Sequence, residues 1–340
     1  TAQAFDQLSG EVHASTASTI VTNSRMSRTA VNNRIRDSFQ GGGVNSAPLV
    51  ASNDDNMDGL LGKQKNTQAW MSNFGSWSTT SGDNDAHKIT THGGGVMVGV
   101  DTLVRDDWRF GVATGFGRDS IQDKNVSSSA MVDSYYLAAY GGTEIEATSL
   151  RFGALYAFQR IDSKRSVAFS GFTDNLTADY DASTTQFFVE GALRIKHQES
   201  RFEPYVNVAF VHSKVDGFQE SGGAAALTSS SQSDNQLAST LGLRLAHDLE
   251  IDFLGLSGEL KAGLGWRHAY GDMSQDSTVS FAGSNTFTVS SASSARDSAV
   301  LEAGVSVGVA QDTTVSLNYN GEMSKDSRDN TLSAKLAIKF

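Results

Sequence analysis

From about residue 67 to the end, the chain repeats one unit, roughly ten residues of alternating polarity and then a turn, the signature of strands that cross a membrane as a closed barrel. The clearest apolar faces are Trp108, Phe110, Val112 and Phe116; Leu150, Phe152, Ala154, Tyr156 and Phe158; and Phe187, Val189, Leu193 and Ile195. Later strands present Val206, Val208 and Phe210; Leu237, Leu241, Leu243 and Leu245; and Leu256, Leu260, Ala262, Leu264 and Trp266. Leu301 to Val309 and Val315 to Met323 follow the same alternation. The chain ends on "TLSAKLAIKF", with Leu332, Ala334, Leu336, Ile338 and Phe340 on one face and Ser333, Lys335 and Lys339 between them. The opposite faces carry Arg109, Arg151, Glu190, Glu203, Arg244, Glu259, Lys261, Glu302 and Glu322 among Gly, Ser and Ala. A soluble sandwich alternates in the same way, but strands of about 11–14 residues exceed its usual five or six and suit a tilted crossing.

The links sharpen the picture. Short ones fall near 101–107, 142–148, 197–201, 247–255 and 311–313, and long polar ones near 118–131, 161–183, 214–233 and 271–296. That alternation predicts short periplasmic turns and long extracellular loops around about twelve strands, an all-β transmembrane antiparallel barrel with both ends on the periplasmic side. The strands near 69–77 and 134–142 have no assignable face. Trp70, Trp108, Trp266, Tyr156, Tyr270 and Tyr319 are expected in aromatic girdles.

Residues 1–39 have no period of two. Leu8, Val12, Ile20, Met26, Val31, Ile35 and Phe39 recur at roughly helical spacing, Gly10 marks a start or a bend, and "ASTAST" (14–19) is all small side chains. A thin helix of this kind suits a narrow passage, so an α-helix in the barrel lumen is predicted. Residues 40–66, opening on "GGG", read as a flexible polar linker, leaving 67–340 for the barrel.

Composition excludes more than it selects. The 340 residues carry net charge -11, with 19% charged and 39% hydrophobic residues, which disfavours both disorder and a helical membrane bundle. No Cys is present, so disulfides and thiolate metal sites are ruled out. The acidic balance argues against nucleic acid as a partner. A chain beginning at Thr1 without a signal peptide is expected to be a piece of a longer or processed precursor.

Taken together, "AFDQLSGEVHAS", the Arg-rich "SRMSRTAVNNRIRD", the strand around "AWMSNFGSW" and the alternating strand ending in Phe resemble the translocator domain of monomeric autotransporters, the type V secretion systems of Gram-negative bacteria. The resemblance implies a barrel in the cell outer membrane that anchors and exports an N-terminal passenger, acts as a monomer and needs no cofactor. It also implies that Leu336, Ile338 and Phe340 form a signal read by the barrel-assembly machinery, with periplasmic chaperones as further partners. A stand-alone outer-membrane channel or porin is the competing reading, disfavoured by the long small-residue helix, and a surface adhesin using loops 161–183 or 271–296 is a third. Those loops are expected to be simply solvated.

Chemical candidates are few. Some members of the family cut their helix between two asparagines, which here are Asn32 and Asn33, assisted by lumen carboxylates such as Glu190, Glu259 or Glu302. The preferred reading is that both are ordinary polar residues facing a wet lumen and that the domain is not an enzyme. Arg25, Arg28, Arg34 and Arg36 are expected to pair with Glu190, Glu259 and Glu302 and to dock the helix as a plug, because an unpaired buried charge is costly. "DDNMDG" (54–59) begins like a calcium loop but has Lys65 where the closing Glu belongs. The histidines at 13, 87, 92, 197, 212, 247 and 268 have no paired spacing and are expected on the surface or the membrane rim, so no metal site is predicted.

Overall fold

The computed structural model describes residues 2–39, 66–82, 86–104, 107–123, 125–251, 256–310 and 312–340. Its elements are α1 (Ala2–Ser9), α2 (Glu11–Phe39), β1 (Thr67–Thr80), β2 (Ile89–Val104), β3 (Trp108–Asp123), β4 (Ser128–Ile145), β5 (Thr148–Phe169), β6 (Phe172–Leu193), β7 (Ile195–His197) and β8 (Ser200–Val215). There follow β9 (Phe218–Gln219), β10 (Leu227–Ser229), β11 (Gln232–Ile251), β12 (Leu256–Tyr270), β13 (Asp276–Phe281), β14 (Phe287–Ser290), β15 (Asp297–Ala310), β16 (Thr313–Met323) and β17 (Ser327–Lys339).

Twelve of the strands form one closed antiparallel barrel, in which every long strand pairs with its neighbours in the sequence. β7 is not a thirteenth stave: it continues β6 past Arg194 in the same register on β8, Ala192 facing Tyr205 and Ile195 facing Phe202. The barrel shuts where β1 meets β17, from Gln68↔Lys339 to Thr80↔Ser327, and the Phe340 N–H adds a bond to the Thr67 carbonyl at 3.0 Å. Closure is obligatory in hydrocarbon, where an open edge would leave a row of peptide groups without partners. The terminal Phe is therefore part of the ladder, half exposed on the outer face beside Ile338 and Leu332.

The wall is taller than the sequence pattern suggests. β5 and β6 run 22 residues each and are joined by a two-residue turn with Gly171 at φ 81°. The presumed long links at 118–131 and 161–183 are thus mostly strand. Their disguise is an inversion of polarity at constant register. Along β5, Tyr156 and Phe158 point outward while Leu155 and Gln159 point inward; two residues on, Arg160, Asp162 and Lys164 point outward and Ile161 and Val167 are buried inside. β6 does the same, with Phe187 and Val189 outward low down and buried Leu176, Ala178 and Tyr180 inside higher up. The apolar outer belt is the height that meets lipid; above it the barrel is an ordinary water-soluble wall with its greasy side inward.

The long polar links 214–233 and 271–296, the second of them expected to be simply solvated, fold. β9, β10, β13 and β14 make a four-stranded antiparallel sheet over the long-loop end of the barrel. Phe218, Leu227, Val279 and Val289 from that dome pack with Val12, Ala17 and Ile20 of α2 and with Ile89, Ile121, Ile161 and Val215 of the wall in one buried cluster. Thus the mouth of the barrel is closed by an apolar core.

Candidate functional site: the helix in the barrel

α2 is 29 residues, about 43 Å at 1.5 Å per residue, and is buried along almost its whole length. Gly10 separates it from α1 with φ 74°, a conformation that costs an L-residue about 1–2 kcal/mol. A Cβ on Gly10 would also meet the Leu227 methyl of the dome at 2.4 Å. Ala14 to Ala17, all small side chains, are buried beneath the dome. Farther down, Val31 and Ile35 enter a second apolar cluster with Trp70, Phe74, Met97, Tyr136, Tyr140 and Phe188. These inward aromatics explain why the β1 and β4 segments had no readable face. Trp70, expected in a lipid-facing girdle, is 3% exposed inside the lumen and donates its Nε1–H to the Tyr140 hydroxyl at 2.6 Å.

The arginines on α2 meet polar groups at separate heights. Arg25 bonds Asp329 at 2.8 Å and also contacts Glu322; Arg28 reaches the Gln186 amide oxygen at 2.7 Å, while the Gln186 amide donates to the Ser24 carbonyl at 3.0 Å. Arg34 grips Asp101 with two bonds, Nε at 2.7 and Nη2 at 2.8 Å. Arg109 and the Tyr140 hydroxyl complete that carboxylate's shell at 2.7 and 3.0 Å. Arg36 bonds Glu302 at 3.0 Å, and Asp37 holds Lys261 at 2.7 Å and contacts Lys335.

Of the three lumen carboxylates singled out from sequence, Glu302 alone bonds an α2 arginine. Glu190 accepts from the Asn32 amide at 2.8 Å, from the Asn207 amide at 3.3 Å, and from Arg151 and Arg244 at 2.8 and 2.9 Å, with Glu203 bridging the same two guanidinium groups. Arg244 also lies 3.6 Å over the Tyr205 ring, a cation–π contact. Glu259 pairs within the wall, with Arg201 and with Lys261 at 3.0 Å. Sequence reasoning missed Asp101, placed in a link although it stands in β2, and Glu322, Asp329 and Asp37 as the helix's ionic partners. Inward parity on the strands was the one signal available for the first three.

Above the lipid belt, His13 is 3% exposed rather than on a surface. Its Nδ1 accepts from the Tyr180 hydroxyl at 2.9 Å and its Nε2–H donates to Glu220 at 2.9 Å, which fixes one tautomer of the neutral ring. Burial pushes His13 below its ordinary range despite Glu220. Burial alone would raise the Glu220 carboxyl, but hydrogen bonds from His13 and Arg165 outweigh it and hold the group at about 2. Arg165 also donates to the Gln7 carbonyl at 2.8 Å, tying α1 into the dome.

Asn32 and Asn33 lie side by side in α2, both 8% exposed. The acidic segment 54–59 and linker residues 40–65 lie outside the described residues.

A closed twelve-stranded barrel with a lipid belt, a domed mouth and a helix through its lumen defines an outer-membrane translocator-type protein. The autotransporter beta-domain family model matches residues 69–320, and the chain belongs to that family. It is an outer-membrane protein. Among the described residues no helix is long and apolar enough to span a membrane. Two Serratia marcescens proteins, each described as an extracellular serine protease, are 34% identical over 339 residues; the match covers 99% of this chain and 31% of theirs. Among solved structures, the translocator domain of the autotransporter NalP from Neisseria meningitidis superposes with TM-score 0.69 at 14% identity, over 95% of this chain and 99% of that one. The beta domain of the Bordetella autotransporter Brka gives 0.59 at 15% identity, over 81% and 100%. At these identities the two solved structures speak for the fold.

Proposed function

We propose that this domain anchors in the outer membrane and carries an attached N-terminal passenger to the cell surface, and that the passenger is a secreted hydrolase of the protease type, as the description of the Serratia relatives suggests. The observation that carries the reading is the direction of α2. Its last turns sit near the barrel end where β1 begins and β17 finishes, and its first turn sits under the dome at the opposite mouth. A polypeptide continued upstream of α1 would therefore emerge outside the cell.

In this reading the ion pairs of Arg25, Arg34 and Arg36 keep the helix in place as a plug after export. A porin has no use for such a filling, and a folded dome leaves the adhesin reading little free loop. Deleting residues 1–39 should convert a silent protein into a conducting channel in a planar bilayer; equal conductance of the two forms would overturn the plug.

Self-cleavage at Asn32–Asn33 is not part of the proposal. The attacking group would be the Asn32 amide nitrogen, and the carboxylate it bonds, Glu190, already shares its oxygens with Arg151 and Arg244 and has little capacity left to accept a proton. Mass spectrometry of the purified chain should give one intact mass, and a fragment beginning at Asn33 would refute this.

Leu336, Ile338 and Phe340 are the proposed recognition signal for the barrel-assembly machinery and its chaperones, supported by their outward face on the closing strand. Removing Phe340 alone should reduce the amount of folded barrel in the outer membrane without altering refolding of purified protein in detergent; equal loss in both would point to the lost ladder bond instead.

A further inference from the structure

Three chain segments with no other reason to meet bring metal-ligating groups together at the domed mouth. Glu11 is the first residue of α2, His87 lies in the β1–β2 loop and Asp123 closes β3. One oxygen of each carboxylate and one ring nitrogen of the imidazole lie within 4.8 Å of one another. His87 Nδ1 stands 2.7 Å from Glu11 Oε2 and 3.4 Å from Asp123 Oδ2.

The second oxygens of the two carboxylates are fixed by the backbone. The His87 main-chain N–H donates to Glu11 Oε1 at 2.6 Å, and the Asn125 N–H donates to Asp123 Oδ1 at 2.9 Å. Each carboxylate is thereby turned so that its other oxygen faces the cluster. Asp123 is 1% exposed, yet among the described residues that inward oxygen, Oδ2, accepts no hydrogen bond. Burying an unsatisfied carboxylate oxygen is costly, and native structures seldom leave one without a ligand.

We propose that Glu11, His87 and Asp123 bind a divalent first-row transition cation, with zinc as the best fit, and that this ion fastens the start of the lumen helix to the barrel wall. Two carboxylates neutralise the dication, and one imidazole favours zinc over calcium or magnesium, which prefer oxygen alone. Tetrahedral ligands at about 2.1 Å from zinc stand about 3.4 Å apart. The His87–Asp123 distance already has that value, and Glu11 would have to draw back from His87 by about 0.7 Å. The other ring nitrogen, Nε2, is 3.9 Å from the exposed Asp6 carboxylate, the side on which a metal-bound histidine usually finds a carboxylate for its remaining N–H. His87 is partly open to solvent, which gives an ion access and leaves room for a water as fourth ligand.

The site goes beyond the translocator reading, because it requires neither a passenger nor export. The test uses the whole chain in detergent, without an affinity tag, stripped with a chelator and titrated with zinc chloride by calorimetry. One equivalent should bind, and amide exchange in the first turns of α2 should slow. Glu11→Gln and His87→Gln should each weaken binding at least tenfold, whereas His268→Gln, a histidine paired with Asp297 elsewhere on the rim, should bind as the parent does. His87 is the safe variant, since its side chain lies in a loop; near- and far-ultraviolet circular dichroism confirms that each variant is folded. No binding by the parent, binding that survives in His87→Gln, or calcium binding as tightly as zinc would each overturn the proposal. Absence of zinc binding would overturn the site alone and would not touch the export reading.

Discussion

The contact that most decides whether α2 stays in the barrel is Arg34 with Asp101. Their side chains are 1% and 0% exposed, and Asp101 simultaneously serves Arg109 and Tyr140. Two perturbations of this one site should therefore differ. Arg34→Met removes the two charge-assisted bonds to Asp101 and a third to the Gln68 amide oxygen at 2.6 Å but leaves Asp101 paired, at a cost to docking of about 2–3 kcal/mol. Asp101→Asn leaves the docked Arg34 buried beside Arg109 with no charge partner, and breaking a buried pair from that side costs about 3–5 kcal/mol. At 1.4 kcal/mol per factor of ten, the helix-out population should rise about 30- to 150-fold in the first variant and more in the second. The double variant should dock better than Asp101→Asn alone, because the stranded guanidinium is gone. Open-channel current in a planar bilayer, recorded over a urea series, measures the population. A double variant that opens as much as the sum of the single effects, or an Arg34→Met within about twofold of the parent, would refute the view that this pair holds the helix.

The dome should loosen in acid. His13 has its folded pKa below the ordinary 6.5 and Glu220 below 4.5, so the unfolded chain binds more protons in both cases and stability is lost as pH falls. The opening equilibrium read from amide protection factors across β9, β10 and the start of α2 should be flat above pH 6.5, rise below it as His13 is forced to charge, and rise again from 4.5 toward 2 as Glu220 protonates; protection factors unchanged between pH 8 and 5 would contradict the His13 assignment. Gly10→Ala should destabilise the α1–α2 junction by about 1–2 kcal/mol from backbone strain, and more if Leu227 cannot move aside. Exchange of the α2 N-terminal amides reads this directly, and a neutral outcome would mean that the junction does not need the left-handed conformation. Together with the conductance, mass and terminal-strand tests above, these bear on the helix, the dome and the closing strand separately.

The sequence alone determined the barrel. A period of two with one greasy face is enforced by lipid on every crossing strand, so the strands from Trp108 to Phe116 or from Leu332 to Phe340 announced themselves locally, as did the thin helix and its break at Gly10. The family likeness was legible for the same reason: the motif residues sit in elements defined by short-range pattern. Only the tertiary structure decided where the wall ends. Above the lipid belt the alternation continues through Arg160, Asp162 and Lys164, but its sense reverses because water replaces hydrocarbon outside and the helix with its dome fills the inside; read linearly, that reversal looks like loop. The partners of the helix were hidden likewise. Asp101, Glu322 and Asp329 lie 67, 297 and 304 residues from Arg34, Arg25 and Arg25, and nothing local tells which of many inward carboxylates stands at the same height. Height in a barrel is set by strand register and by the depth at which α2 seats, and both emerge only when the sheet has closed.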